Sequence, residues 1–301
     1  MKSFHLLGGL LCAAAMLPAY AASAVDITVR DFAGAITLVE GSDGVEIVRR
    51  GRIGDLDYSD GDNAITIDGG LSDRQRHEVC KGPGGNWDLS IGNWNSKGDS
   101  RLEDYPEIVV SVPKGSDLTV RSSTMRLESE VDLGNANLKM SGCFDMVLRD
   151  LRNLSLEKSG SGDVEMGDAE RVEIKKSGSG DVFMARVGSV ELEQSGSGNI
   201  EVDRVLTSLR IEKSGSGDVE IAEANGRLDI DKSGSGDVTV DGGRLSEVVI
   251  DNSGSGDVEI DAPMEDADVS ASGSGDIFLH SVSGVLHEDL SGAADLTLGK
   301  N

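Results

Sequence analysis

The chain has 301 residues, of which 38% are hydrophobic and 3% aromatic, with 40 glycines and 5 prolines. That is enough apolar material for one long, thin core, and it excludes a collagen-like rod or an aromatic-lined binding protein. Fifty-four acidic against 28 basic side chains leave a formal net charge of -26, which repels nucleic acid and anionic lipid headgroups and leaves cations and basic protein surfaces as the expected partners.

At the N-terminus, Lys2, the apolar run Leu6 to Leu17 and the small residues Ala19 to Ala24 read as a secretory signal peptide over residues 1–24, cleaved after Ala24 or Ala21. Its apolar core is too short for a spanning helix, and no later stretch is apolar enough to be one. The mature protein is therefore expected in the periplasm or outside the cell, without a transmembrane anchor. Cys80 and Cys143 are the cysteines that remain. An oxidising compartment permits them to pair if their Cα atoms lie within about 7 Å.

Residues 25–121 contain short alternating segments, Val25 to Val29, Ala35 to Val39, Val45 to Val48 and Ala64 to Ile67, divided by Gly, Asp and Ser. They read as a small β-meander. Asp55, Asp57, Asp60 and Asp62 cluster in one turn, but the order of ligands and glycine does not follow a calcium loop of the helix-loop-helix type. Residues 71–104 are polar, aperiodic, and carry His77, Cys80, Trp87 and Trp94, as a long excursion between strands would. The tryptophans are expected to pack over the end of the repeats that follow. Ile108 to Val112 and Leu118 to Val120 lead into those repeats.

From Ser159 the chain repeats one phrase, Ser-Gly-Ser-Gly-Asp, ending at Asp163, Asp181, Asn199, Asp218, Asp237, Asp257 and Asp276, with weaker copies ending at Asp145 and Asp295. Successive ends are 18, 18, 18, 19, 19, 20, 19 and 19 residues apart, and a fixed period near 20 marks stacked supersecondary units. Counting from the ends Asp163 to Asp257, positions -9, -7, +1 and +3 are aliphatic or Met, as in Leu154, Leu156, Val164 and Met166. Each repeat thus holds two short strands with one apolar face. All variation in length falls between +3 and the next -9.

Four such side chains, at about 1.5–3 kcal/mol each, fall short of about 1–2 kcal/mol of backbone entropy for each of some 18 residues. One repeat cannot fold alone, so the coils must stack and pair in parallel. The fold expected over residues 122–301 is an all-β parallel β-helix, right-handed, of nine to ten coils of 18–20 residues. Pleat alternation turns Gly160 and Gly162 inward and Ser159, Ser161, Asp163 and Glu165 outward. Lys158, Lys176, Lys213 and Lys232 share the inward parity but are expected to mark a corner and point to solvent.

Stacking makes the acids a ladder, and Glu165, Glu201, Glu220 and Glu259 part of another. Carboxylates about 4.8 Å apart repel, so backbone N–H groups of the glycine turn, with the lysines, are expected to offset them. Calcium between coils is the alternative use of Asp163, Asp181, Asp218, Asp237, Asp257 and Asp276; otherwise no cofactor is expected. His77, His280 and His287 fit no nucleophile, zinc or paired-acid motif. A carbohydrate-active β-helix enzyme is thus the lesser alternative to a non-enzymatic solenoid.

The segment Tyr105-Pro-Glu-Ile-Val-Val-Ser-Val-Pro-Lys-Gly115, followed by repeated Ser-Gly-Ser-Gly-Asp-Val, resembles the bacterial putative auto-transporter adhesin family with a head GIN domain, and related β-strand-repeat proteins of unknown function. The likeness covers about residues 105–298. It implies a secreted β-helical protein with an adhesive role and no catalytic residues to carry over. The uniform acidic ladder itself leads one to expect a cell-surface or envelope partner, protein or polymer. The final coil, Asp295 to Leu298, has no obvious cap, and its unpaired edge leads one to expect end-to-end self-association.

Overall fold

The computed structural model describes residues 23–51, 56–61, 63–75 and 105–299. It is a β-solenoid of about ten stacked coils, in which the 22 strands of the described residues form one continuous sheet. Every cross-coil pairing from residue 117 onward is parallel.

Each coil has two faces joined by two corners. One face stacks Leu154, Val172, Val190, Leu209, Leu228, Val248 and Ala267 in register. The other stacks Val164, Val182, Ile200, Val219, Val238, Val258 and Ile277. These columns and their neighbours two residues on, such as Leu156 and Met166, are 4% exposed or less. One cluster runs the length of the coils, from Val25 to Leu279.

The repeat-length variation is absorbed where the spacing predicts. Register shifts occur between Val187 and Ser189, between Gly226 and Arg227, and between Ile260 and Pro263. Each lies on the corner away from the Ser-Gly phrase. A bulge there adds a residue without moving the apolar columns on either side.

The segment expected as a small meander is mostly solenoid. Strand Asp26–Arg30 lies between Ala64–Asp68 and Asp117–Arg121, parallel to both. Ala33–Glu40 lies likewise between Glu107–Val112 and Thr124–Ser129. The chain lays its second coil on the outer side of the first and then crosses to the inner side. Among the described residues only the outer edge is antiparallel, where Gly44–Arg49 pairs with Glu107–Val112 and Asp57–Asp60 with Ala64–Asp68. Period-2 alternation reports a buried face but not which strand lies beside it, so coil and meander read alike without the Ser-Gly marker.

Candidate functional site

The constant corner is built by close stacking. A Cβ on Gly178 would stand 1.8 Å from the carbonyl oxygen of Gly160, and one on Gly160 would stand 1.7 Å from that of Gly142. Gly162 adds a positive φ of 127°. The glycines are required because each lies directly on the backbone of the coil before it.

Outside this corner the acids form a continuous hydrogen-bonded ladder. The backbone N–H of Asp181 donates to Asp163 Oδ1 at 2.8 Å, that of Asn199 to Asp181 Oδ1 at 2.7 Å, and that of Asp218 to Asn199 Oδ1 at 2.9 Å. The series continues from Asp237 to Asp218, Asp257 to Asp237, Asp276 to Asp257 and Asp295 to Asp276, at 2.7–3.1 Å. One carboxylate oxygen per coil thus pairs a backbone donor that the tight corner would leave unmatched. Asn199 fits the series because its amide oxygen accepts in the same way. Asp145, at the start, is buried instead, and burial pushes its carboxyl above the usual carboxylate range.

Inside the same corner lies a column that the sequence reading placed in solvent. Lys158, Lys176, Lys213 and Lys232 are 0–2% exposed and stack in register with Gln194 and Asn252. The pleat keeps strict alternation through the corner, and glycines at the next two inward positions leave room for a long side chain. Lys158 Nζ donates to Gly180 O at 2.9 Å, and Lys213 Nζ to Gly215 O at 3.2 Å. Lys176 and Lys232 reach Gly198 O and Gly256 O. Gln194 Nε2 and Asn252 Nδ2 donate to these same two carbonyls, at 2.6 and 3.2 Å. Lys158 Nζ also lies 5.5 Å from the centre of the Phe144 ring, within cation–π range.

Burial pulls Lys158, Lys176 and Lys232 down to about 8, and lowers Lys213. Neighbouring lysines push in the same direction on Lys158, Lys176 and Lys232, while ladder acids such as Asp163, Asp181, Asp237 and Asp257 push back. The wall of the solenoid is therefore an electrical double layer, with carboxylates outside, ammonium groups inside and one glycine backbone between them. This layer offsets the repulsion along the ladder. On a flat face the same problem is solved by alternating sign, as in Lys139–Glu157 at 2.7 Å and Arg210–Asp229 at 3.0 Å.

The glycine-cornered coil with its acid ladder coincides with a known family model, described as putative auto-transporter adhesin, head GIN domain, which matches residues 88–222 and 184–284. The chain belongs to this GIN-domain adhesin family. It is also similar to a crystal structure of a protein from Bacteroides fragilis described as a putative adhesin, at 14% identity, over 93% of this chain and 94% of that one, with a TM-score of 0.32. No curated protein matches the chain.

In this GIN-domain chain the six ladder aspartates considered for calcium, Asp163, Asp181, Asp218, Asp237, Asp257 and Asp276, stand one per coil, each with Oδ1 engaged by a backbone donor. Among the described residues no group of three or more His, Cys, Asp or Glu side chains is placed to hold a metal ion. Cys143 is disulfide-bonded, and Cys80 lies outside the described residues, as do His77, Trp87, Trp94, Asp55 and Asp62. Asp60 is structural, accepting the Val45 N–H at 3.1 Å. His280 Nδ1 lies 2.7 Å from Asp261 Oδ1, and His287 is exposed on strand Leu286–Leu290. The signal that would have found the lysine column was present: in six successive coils, from Lys158 to Asn252, the inward position two residues after the second aliphatic is Lys, Gln or Asn, with Met140 before them and Ala271 after.

A shallow groove at the opposite corner is lined by Asn153, Glu170, Arg171, Ser189, Leu206 and Thr207, among others. It follows from the change of period. The extra residue of the coil that first reaches 19 bulges there, exposing Leu206, and Thr207 Oγ1 donates to Gly188 O at 2.7 Å.

Proposed function

We propose that this chain is a secreted, non-enzymatic adhesin-like solenoid whose outward Ser/Asp edge contacts a cell-surface or envelope component, protein or polymer. The observation that carries the reading is the uniform ladder from Asp163 to Asp295 in a member of an adhesin family. Repetition at one residue per coil suits many weak, equivalent contacts, whose avidity exceeds that of any single contact. It does not suit catalysis, which gathers unlike groups around one reacting centre. The net charge directs the edge toward basic partners. The expected location is extracytoplasmic; among the described residues no helix is long and apolar enough to cross a membrane.

The test uses a variant in which Asp163, Asp181, Asp218, Asp237, Asp257 and Asp276 are all Asn, keeping the acceptor oxygen and removing the charge. Beads coated with the protein or the variant are passed over immobilised basic proteins, neutral polysaccharides and anionic polysaccharides. Retention of the wild type on a basic surface, lost in the variant and in high salt, is the expected result. Equal retention of both would remove the ladder from the function. Turnover of any polysaccharide would overturn the non-enzymatic reading.

A further inference from the structure

The two ends of the solenoid are finished differently. At the N-terminal end the antiparallel strands Gly44–Arg49 and Asp57–Asp60 cover the last parallel coil. They are tied together by the Val45–Asp60 hydrogen bond and to the coil by Arg49–Glu107 at 2.9 Å. At the C-terminal end, strands Leu286–Leu290 and Leu296–Leu298 each pair on one side only, with Val258–Ala271 and Ile277–Val282. Their outer edges meet no strand among the described residues. Val285, Leu290 and Leu298 are 53%, 38% and 46% exposed. Leu286 and Leu296 rest half-buried on the core. Stacked over Ala267, Val269, Ala271, Ile277 and Leu279, the inward positions of this coil are Leu286, Glu288, Leu290, Leu296 and Leu298.

Both edge strands place leucines symmetrically about a central residue. Leu-His-Glu-Asp-Leu, laid antiparallel on a second copy and centred on Glu288, sets Leu286 against Leu290 and His287 against Asp289. Leu-Thr-Leu, centred on Thr297, sets Leu296 against Leu298. Glu288 lies three residues before Ser291 and Thr297 three after Ala294, so the two centres are placed symmetrically about the corner that joins them. One two-fold axis can therefore pass through both, as an isologous interface requires. We propose that the C-terminal end is a self-association surface, on which a second copy of this chain pairs antiparallel through Leu286–Leu290 and Leu296–Leu298.

This arrangement joins the two cores through the four leucines of each copy and satisfies both open edges. It places the Ser-Gly corner of one copy over the variable corner of the other, so the dimer carries acid ladders on opposite sides. Glu288 is the opposing element, because it meets its own copy on the axis, where like charges directly opposite each other destabilise pairing. The charged groups around it are His287 and Asp289 on its own strand and Asp268 on the neighbouring strand. The facing strand contributes Thr297 between two leucines.

Sedimentation of the purified protein at increasing concentration is the test. A reversible dimer is expected, with Glu288→Gln lowering its dissociation constant roughly two- to fivefold. The double variant Leu290→Lys/Leu298→Lys should abolish it, and Val48→Lys at the other end should leave it unchanged. Thr297→Cys, on the axis, should form an interchain disulfide under oxidation, whereas Thr239→Cys, at the same place in a mid-stack coil, should not. That pair keeps the idea testable if the leucine variants misfold. Monomer at every concentration in both wild type and Glu288→Gln, assemblies larger than dimers, or equal cross-linking at positions 239 and 297 would each overturn the proposal.

Discussion

The two corners of each coil are opposite solutions to turning a chain. At the Ser-Gly corner, length is fixed, glycine lies on glycine, and side chains pair the turn's backbone: ladder acids accept from its N–H donors, and lysine or amide side chains donate to its carbonyls. At the other corner, bulges come and go, Leu206 stands exposed, and a shallow groove opens where the period changes. The lesson is that a solenoid needs only one exact corner. The strict corner sets the register of both faces, and the tolerant one takes up whatever length remains.

The largest effect expected from breaking this contrast is at the strict corner. Gly178→Val drives a side chain into the Gly160 carbonyl at 1.8 Å, with Gly196 packed just as closely on the other side, so neither coil can yield. A loss of about 3 kcal/mol or more is expected, seen as a collapse of the denaturant midpoint or of soluble yield. Deleting Leu206 at the tolerant corner returns that coil to 18 residues and should cost less than about 1 kcal/mol. Equal penalties would end the distinction.

The lysine column predicts the next largest effect. Folded, Lys158, Lys176 and Lys232 hold their proton only to about pH 8, whereas the unfolded chain holds it to 10.5. Below pH 8 both states are charged and the cost of burial is present in full. Between these values the unfolded state binds more protons, so stability rises with pH. A gain of about 1–3 kcal/mol per lysine bounds the effect, or several degrees in Tm between pH 7 and 9.5. Replacing the three lysines with Met should flatten the profile; a wild-type Tm that falls over this range would contradict the buried, charged column.

These two predictions also mark what could be read from residue order. The columns at -9, -7, +1 and +3 are legible because apolar residues repeat at fixed distances from the aspartate, and in the repeats ending at Asp163 to Asp257 all of them are buried. The ladder was legible for the same reason. Residue order reads Lys158 and its equivalents as solvent-facing because burying a charge is costly, and three of the carbonyls that receive the ammonium groups, those of Gly180, Gly198 and Gly256, belong to the next coil. Such partners appear only once the stack is built. The placement of Asp26–Arg30 between two later coils was hidden in the same way, since no residue in it names its neighbours.

The finest test separates charge from hydrogen bonding within the ladder. Asp218 Oδ1 accepts the Asp237 N–H at 2.8 Å, and its own N–H goes to Asn199 Oδ1. Asp218→Ala leaves the Asp237 donor unmatched beside a tight corner, at a cost of about 1–2 kcal/mol. Asp218→Asn keeps the acceptor and removes one of a row of like charges, as Asn199 already does one coil earlier, so its effect should lie within about 0.5 kcal/mol. If denaturant midpoints show Ala and Asn equally damaging, the charge facing Lys213 and Lys232 matters more than the acceptor, and the double layer is the chief stabiliser of this corner. If Asn is neutral and Ala is not, the acids are retained for their acceptor oxygen, and the surplus negative charge along the edge is left available for whatever the solenoid meets.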